Sequence, residues 1–177
     1  MDATRVEAGT VAARRQRIGG SENLVASSQG ASAATSPSAN GGSHLTVHDV
    51  FGLDTLVLQT FGFTATIKSD GHADGWFQYR DVEDGTPFTA DGPVTCLTVM
   101  GSDAWIGATI TKSNDPTVVG LGGWWHVTDN GQGSGSAPDV TSFLGVGSLD
   151  AAAAFCANHP AYRFPFAIDG GDIQVRG

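Results

Sequence analysis

Five histidines, two cysteines and many aspartates carry the chemistry open to this chain. His44 and His48 share one face of an expected strand but stand roughly 13 Å apart by strand rise, too far to hold one metal ion. A site using either would have to draw in Asp49, His72 or His126, and no metal site is expected. His159 lies apart, beside Pro160. Cys96 and Cys156 belong to no CxxC or Cys/His cluster, which excludes the usual structural zinc patterns. The Asp-Gly turns Asp70-Gly71 and Asp74-Gly75, and the cluster Asp81, Glu83 and Asp84, offer hard oxygen ligands suited to calcium. They lack the EF-hand spacing, and solvated turns are the plainer reading. No other cofactor is indicated.

Nucleophilic chemistry has no clear seat. No Gly-x-Ser-x-Gly elbow is present, and Gly133-Ser134-Gly135-Ser136 reads as a flexible loop. Cys96 sits mid-strand among apolar neighbours, where a thiol is inert. Gly120-Leu121-Gly122-Gly123 lacks the lysine of a phosphate loop. The aromatic set is more informative: Phe61, Phe63, Trp76, Phe77, Tyr79, Trp105, Trp124, Trp125, Phe164 and Phe166 all fall in expected strands. Among them, Tyr79, Arg80, Trp124 and His126 could line a cavity and orient a small apolar ligand. An ordinary aromatic core is the structural alternative.

Strands must position these residues. Pro93–Thr111 holds two β-rich runs around Gly101-Ser102-Asp103, the pattern of an antiparallel hairpin. Leu56–Lys68 alternates with period two, placing Phe61, Phe63, Ala65 and Ile67 on one face. Further strands are expected at His44–His48, Trp76–Val82 and Gly120–Asp129, with a last hairpin, Arg163–Ile168 and Asp172–Arg176, across Asp169-Gly170-Gly171. Leu149–Ala157 is the one expected helix, capped by Asp150 and ended at Asn158-His159-Pro160. About eight strands joined by short hairpins predict an all-β fold, a small antiparallel barrel, with a β-sandwich as the alternative.

Composition sets the boundaries. The 177 residues carry a net charge of −9. The negative charge lies beyond residue 43, and nearly all of it is aspartate, which suits turns. Such a field repels phosphate backbones, so no nucleic-acid partner is expected. No apolar run reaches the roughly 18 residues of a membrane-spanning helix. Residues 1–43 read as a disordered tail or linker, Arg-rich and then rich in Ser, Ala and Gly, and lack the apolar run of an export signal. Residues 44–177 form the barrel domain. Whether Cys96 and Cys156 pair, or are two separately buried thiols, is open at this level. A bridge would close a loop of about 60 residues and stabilise by about 4 kcal/mol on chain-entropy grounds.

Gly92-Pro93-Val94-Thr95-Cys96-Leu97, Val99, Gly101, Ala104 and Ile106-Gly107 resemble a group of uncharacterised bacterial β-rich proteins. So do Asp129-Asn130-Gly131, Pro138-Asp139, Ser142 and the ends, Gly42, His44, Leu45 and Gly171–Val175. The resemblance covers roughly residues 41–177. It implies a shared fold and, because many such proteins are exported, a secreted or cell-surface location, with a cytoplasmic one as the alternative. It implies no activity. The expected function is a non-enzymatic binding or surface module with a small apolar ligand or a protein partner. A barrel enzyme of the cyclase or isomerase kind is the alternative, and it would need an interior cavity of roughly 300 Å3 or more.

Overall fold

The computed structural model describes residues 36–48, 55–133, 135–161 and 164–177. The reading of residues 1–35 as a tail, and the roles given to Asp49 and Arg163, fall outside the described residues. Period-two alternation builds the long strands. In β2 (Leu56–Ile67), Val57, Gln59, Phe61, Phe63 and Ala65 are buried while Leu58, Thr60 and Thr64 are exposed. β3 (Ala73–Glu83) buries Phe77 and Tyr79 and exposes Trp76, Gln78 and Arg80. β4 (Thr86–Met100) and β5 (Asp103–Thr109) form the expected central hairpin. β4 pairs with β3 through its first half and with β5 through its second, and the register shifts between Val94 and Cys96. An irregularity of that kind bends a strand and turns the sheet.

β1 (Ser38–His48) begins before residue 44, so Ser38–Ser43 belong to the sheet and not to the tail. Small residues disguised this segment. β1 is held by ladders on both flanks, to β2 and to β11 (Gly170–Arg176), and Ala39 is fully buried. β6 (Lys112–Ser113) pairs with β4. β7 (Gly122–Thr128) pairs with β5, and also with the short β8 (Val140–Thr141) and β9 (Gly145–Gly147). β10 (Phe166–Ala167) pairs with β8. The result is one curled antiparallel sheet, order β10-β8-β7-β5-β4-β3-β2-β1-β11, rather than two stacked sheets. Among the described residues eleven strands stand where eight or so were expected, because β6, β8, β9 and β10 have two or three residues each, too few to show alternation.

The expected last hairpin does not form. β10 and β11 lie at opposite ends of the strand order, and the chain between them joins the two ends of the curled sheet. The Ile168 N–H donates to the Asp139 carbonyl, and the Asp169 N–H donates to the His44 carbonyl. Side chains from the β7–β8 loop then complete the seam. The N–H of Ile173 donates to Asp139 Oδ2 at 2.8 Å, and that of Val175 to Asp129 Oδ2 at 3.0 Å. Two carboxylates thus take the place of a neighbouring strand along the outer edge of β11, leaving that edge blunted against further pairing.

The inner face carries Leu45, Phe61, Phe63, Phe77, Tyr79, Ile106, Ile110, Trp125, Val127 and Ile173 in one cluster. Trp125 packs edge-on to Phe63 at 5.7 Å and tilted against Phe77 at 5.3 Å. The space left beside Gln59, Tyr79, Trp125 and Thr141 is about 10 Å3, no more than one water could occupy.

Helix α1 (Leu149–Asn158) lies on the outer face of β5 and β7. Ser148, not Asp150, caps it: its side chain accepts from the Ala151 N–H, while Asp150 sits within the first turn. A Cβ at Gly107 would stand 3.0 Å from the Ala152 carbonyl oxygen, and one at Gly122 2.6 Å from that of Ser148. Glycine at both places lets the helix backbone lie directly on the sheet. Cys96 and Cys156 stand at disulfide distance, Sγ to Sγ 2.03 Å with Cα atoms 6.2 Å apart, tying α1 to β4.

Candidate functional site

Alternation in β7 divides its aromatic residues. Trp125 and Val127 point into the core, while Trp124 and His126 point outward, toward the layer made by α1 and the chain after it. There they form the floor of a cavity of about 290 Å3. Ser142, Phe143, Leu144 and Gly145 make one wall. Phe155 of α1, with Pro160, Ala161 and Phe164 beyond it, makes the other. Trp124 and Phe155 face each other with ring centroids 6.3 Å apart. The lining is aromatic and aliphatic apart from His126 and Ser142.

His126 is held from several sides. Trp105 stacks on its ring at 4.2 Å, and Trp105 Nε1 donates to the Pro160 carbonyl at 2.8 Å. Asp103 Oδ1 lies 3.1 Å from His126 Nε2 and also accepts from the Thr128 hydroxyl. A carboxylate accepts, so Nε2 carries the proton. Burial lowers the His126 pKa to about 4, against the opposing pull of the Asp103 charge. The ring is therefore neutral at neutral pH. Ser142 Oγ accepts from the His126 backbone N–H at 3.0 Å and donates to the Phe143 carbonyl. Ser142, His126 and Asp103 thus share a neighbourhood, but the serine hydroxyl is engaged with backbone and the imidazole Nε2 is turned to the aspartate. A nucleophile–base relay needs the hydroxyl on the ring.

A consequence for stability follows from the His126 pKa. The unfolded chain takes up the His126 proton first as pH falls below about 6.5, so stability is complete above that pH and is lost toward about 4. Asp81 opposes this loss, because burial raises its pKa. Asp81 is common to both proteins when wild type is compared with His126→Gln, so urea titrations across this window should show a steeper pH slope in wild type.

The four residues singled out from sequence do not form one site. Trp124 and His126 meet in the outer cavity. Tyr79 lies on the opposite, inner side of the sheet, donating to Gln59 Oε1 at 3.1 Å and lying 3.2 Å from Asp81 Oδ2. Burial, and then the Asp81 charge, raises its pKa. Arg80 is exposed on the outer face of β3. The sequence reading missed Phe143, Leu144 and Phe155. Phe155 left a signal, as the one aromatic residue in an alanine-rich helix. The turn aspartates are engaged locally: Asp70 Oδ1 accepts from the His72 N–H, Asp74 pairs with Lys68 at 2.9 Å, and Asp84 accepts from the Leu56 N–H. Among the described residues, no group of three His, Cys, Asp or Glu side chains could hold a metal ion. No helix among them is long and apolar enough to cross a membrane.

Comparison with protein-family models, curated proteins and solved structures found no match to this chain.

Proposed function

We propose that this domain is a non-enzymatic binding module that takes a small, planar, mainly apolar and uncharged ligand into the cavity between β7 and α1. The observation that carries this reading is the cavity itself: about 290 Å3, walled by Trp124, Phe143, Leu144, Phe155 and Phe164, with His126 and Ser142 as its polar lining residues. An apolar cavity of about 150 Å3 holds benzene, so this one suits a guest of about two fused rings. The net charge of −9 disfavours anionic ligands. The enzyme alternative looked to the barrel interior for its substrate; the space beside Gln59, Tyr79 and Trp125 is about 10 Å3, which favours the outer cavity as the binding place. An exported location fits the cysteine pair, since disulfides persist in oxidising compartments, and it agrees with the resemblance to exported β-rich proteins.

The test uses the neutral fluorophore N-phenylnaphthylamine. Saturable one-site enhancement is expected with the wild-type chain. Ala161→Trp, at an exposed wall position, should abolish it while leaving the far-UV circular dichroism unchanged. Enhancement that is non-saturable, or indifferent to Ala161→Trp, would remove the proposal.

A further inference from the structure

The bridge and the cavity share one wall. Phe155 is the residue before Cys156, and Pro160, Ala161 and Phe164 follow soon after it in sequence. Of the ten residues of α1, only Ala152 and Cys156 are buried, and Leu149 is 50% exposed. One buried residue is therefore an alanine and the other is half of the bridge. A ten-residue helix is too short to persist in water by itself. Apart from the bridge, the side-chain hydrogen bonds that tie α1 and its end to the sheet among the described residues are the Thr98 hydroxyl donating to the Cys156 carbonyl at 2.9 Å and Trp105 Nε1 donating to that of Pro160. The glycine seat at Gly107 and Gly122 permits close approach but supplies no side chain to grip the helix.

We infer that the Cys96–Cys156 bridge is a switch for the cavity: oxidation docks α1 and builds the wall, and reduction releases it. Control of ligand binding by this switch rests on the proposed function; release of the wall does not. The reductant is a dithiol. Its thiolate attacks one bridge sulfur, forms a mixed disulfide and expels the other cysteine as thiolate. The donor's second thiol then displaces the first cysteine. Two electrons and two protons pass to Cys96 and Cys156, and the donor leaves as its own disulfide; exchange with a disulfide oxidant runs the same steps in reverse, reducing the oxidant to thiols and restoring the bridge.

Hydrogen exchange of the α1 amides and the indole N–H resonances of Trp124 and Trp125 report the switch without any ligand. They are compared in the oxidised chain, in the dithiothreitol-reduced chain with both thiols titrated, and in Cys96→Ser/Cys156→Ser. On reduction, α1 amides should exchange about 100-fold faster, as expected for a locally opened unit. The Trp124 resonance should move while that of core Trp125 stays. N-phenylnaphthylamine affinity should fall about tenfold or more as the competent fraction drops to a tenth, and should return on reoxidation. Unchanged α1 protection in the fully reduced chain would overturn the inference. So would loss of the Trp125 resonance together with that of Trp124, which would mean global unfolding. If α1 is released on reduction but the oxidised chain never binds the fluorophore, the switch stands and the proposed function falls.

Discussion

Asp139→Ala is expected to destabilise the domain by about 3–5 kcal/mol, more than any other single substitution of a charged residue considered for this chain. Asp139 is buried, and each of its oxygens accepts a backbone N–H at 2.8 Å, from Asn130 and from Ile173. Ile173 is fully buried, so water cannot replace the lost partner. Hydrogen bonds to a charged group contribute about 1.5–3 kcal/mol each, and a donor left unpaired in the interior adds a desolvation penalty. Asp139→Asn keeps one accepting oxygen and turns an NH2 group toward the other donor, so it should lose roughly half as much. Asp129→Ala removes acceptors for the N–H groups of Val175 and Gly131 at a less buried place and should cost about 1–2 kcal/mol. Asp150→Ala, on the exposed first turn of α1, should fall within about 0.5 kcal/mol of wild type. Urea unfolding at pH 7 orders the four. A loss for Asp139→Ala no larger than that for Asp150→Ala would mean that the seam is not held by carboxylates.

The second large effect concerns the bridge. Removing both cysteines, as in Cys96→Ala/Cys156→Ala, should lower unfolding stability by up to about 4 kcal/mol, because the closed loop spans 60 residues of sequence. For a domain of this size that is a fall of about 10 °C or more in Tm. Local release of α1 relieves part of the loss, so the thermal shift should be smaller than the full loop-closure figure while α1 protection collapses. A thiol assay on the denatured, unreduced wild type should find no reactive thiol. Two reactive thiols per chain would contradict the bridge, and with it both this prediction and the cavity switch.

Much of the fold could be read from residue pattern. Phe61, Phe63 and Ala65 of β2, and Phe77 and Tyr79 of β3, alternate with polar neighbours and face the core as period two requires. The run of four consecutive alanines in α1 and the Asn158-His159-Pro160 stop placed the helix. What escaped was non-local. Nothing in Arg163–Arg176 distinguishes a hairpin from a crossing between sheet ends; the distinction lies in Asp139 and Asp129, distant in sequence, whose carboxylates meet the N–H groups of β11. The Gly-rich run before His44 looked too poor in apolar side chains to be ordered, yet its stability comes from two backbone ladders.

The candidate site was half legible for a related reason. Trp124 and His126 could be paired by their i, i+2 spacing on β7, which puts both on one face. Tyr79 and Arg80 are adjacent in sequence and point to opposite faces of β3; both border an open groove with Thr60, Gln78 and Thr89, away from the cavity that holds Trp124 and His126. Which face of β7 looked inward was undecidable from sequence, because Trp124 and Trp125 are equally apolar. The helix settles it: glycines at 107 and 122 clear space for α1 on the outer side, and that layer turns an exposed tryptophan into a cavity floor.

The four tryptophans give the most direct test of where the ligand goes. Trp124 lies in the outer cavity, Trp105 behind its His126, Trp125 in the barrel core and Trp76 exposed on the outer face of β3. Their indole N–H resonances in a nitrogen–proton correlation spectrum report those four places separately during titration with N-phenylnaphthylamine. The Trp124 resonance should move most and saturate, that of Trp105 should follow weakly through the His126 stack, and those of Trp125 and Trp76 should stay. Movement led by Trp125 would place the ligand inside the barrel, and no saturable movement of any indole would leave the cavity without its assigned guest; either result contradicts the account.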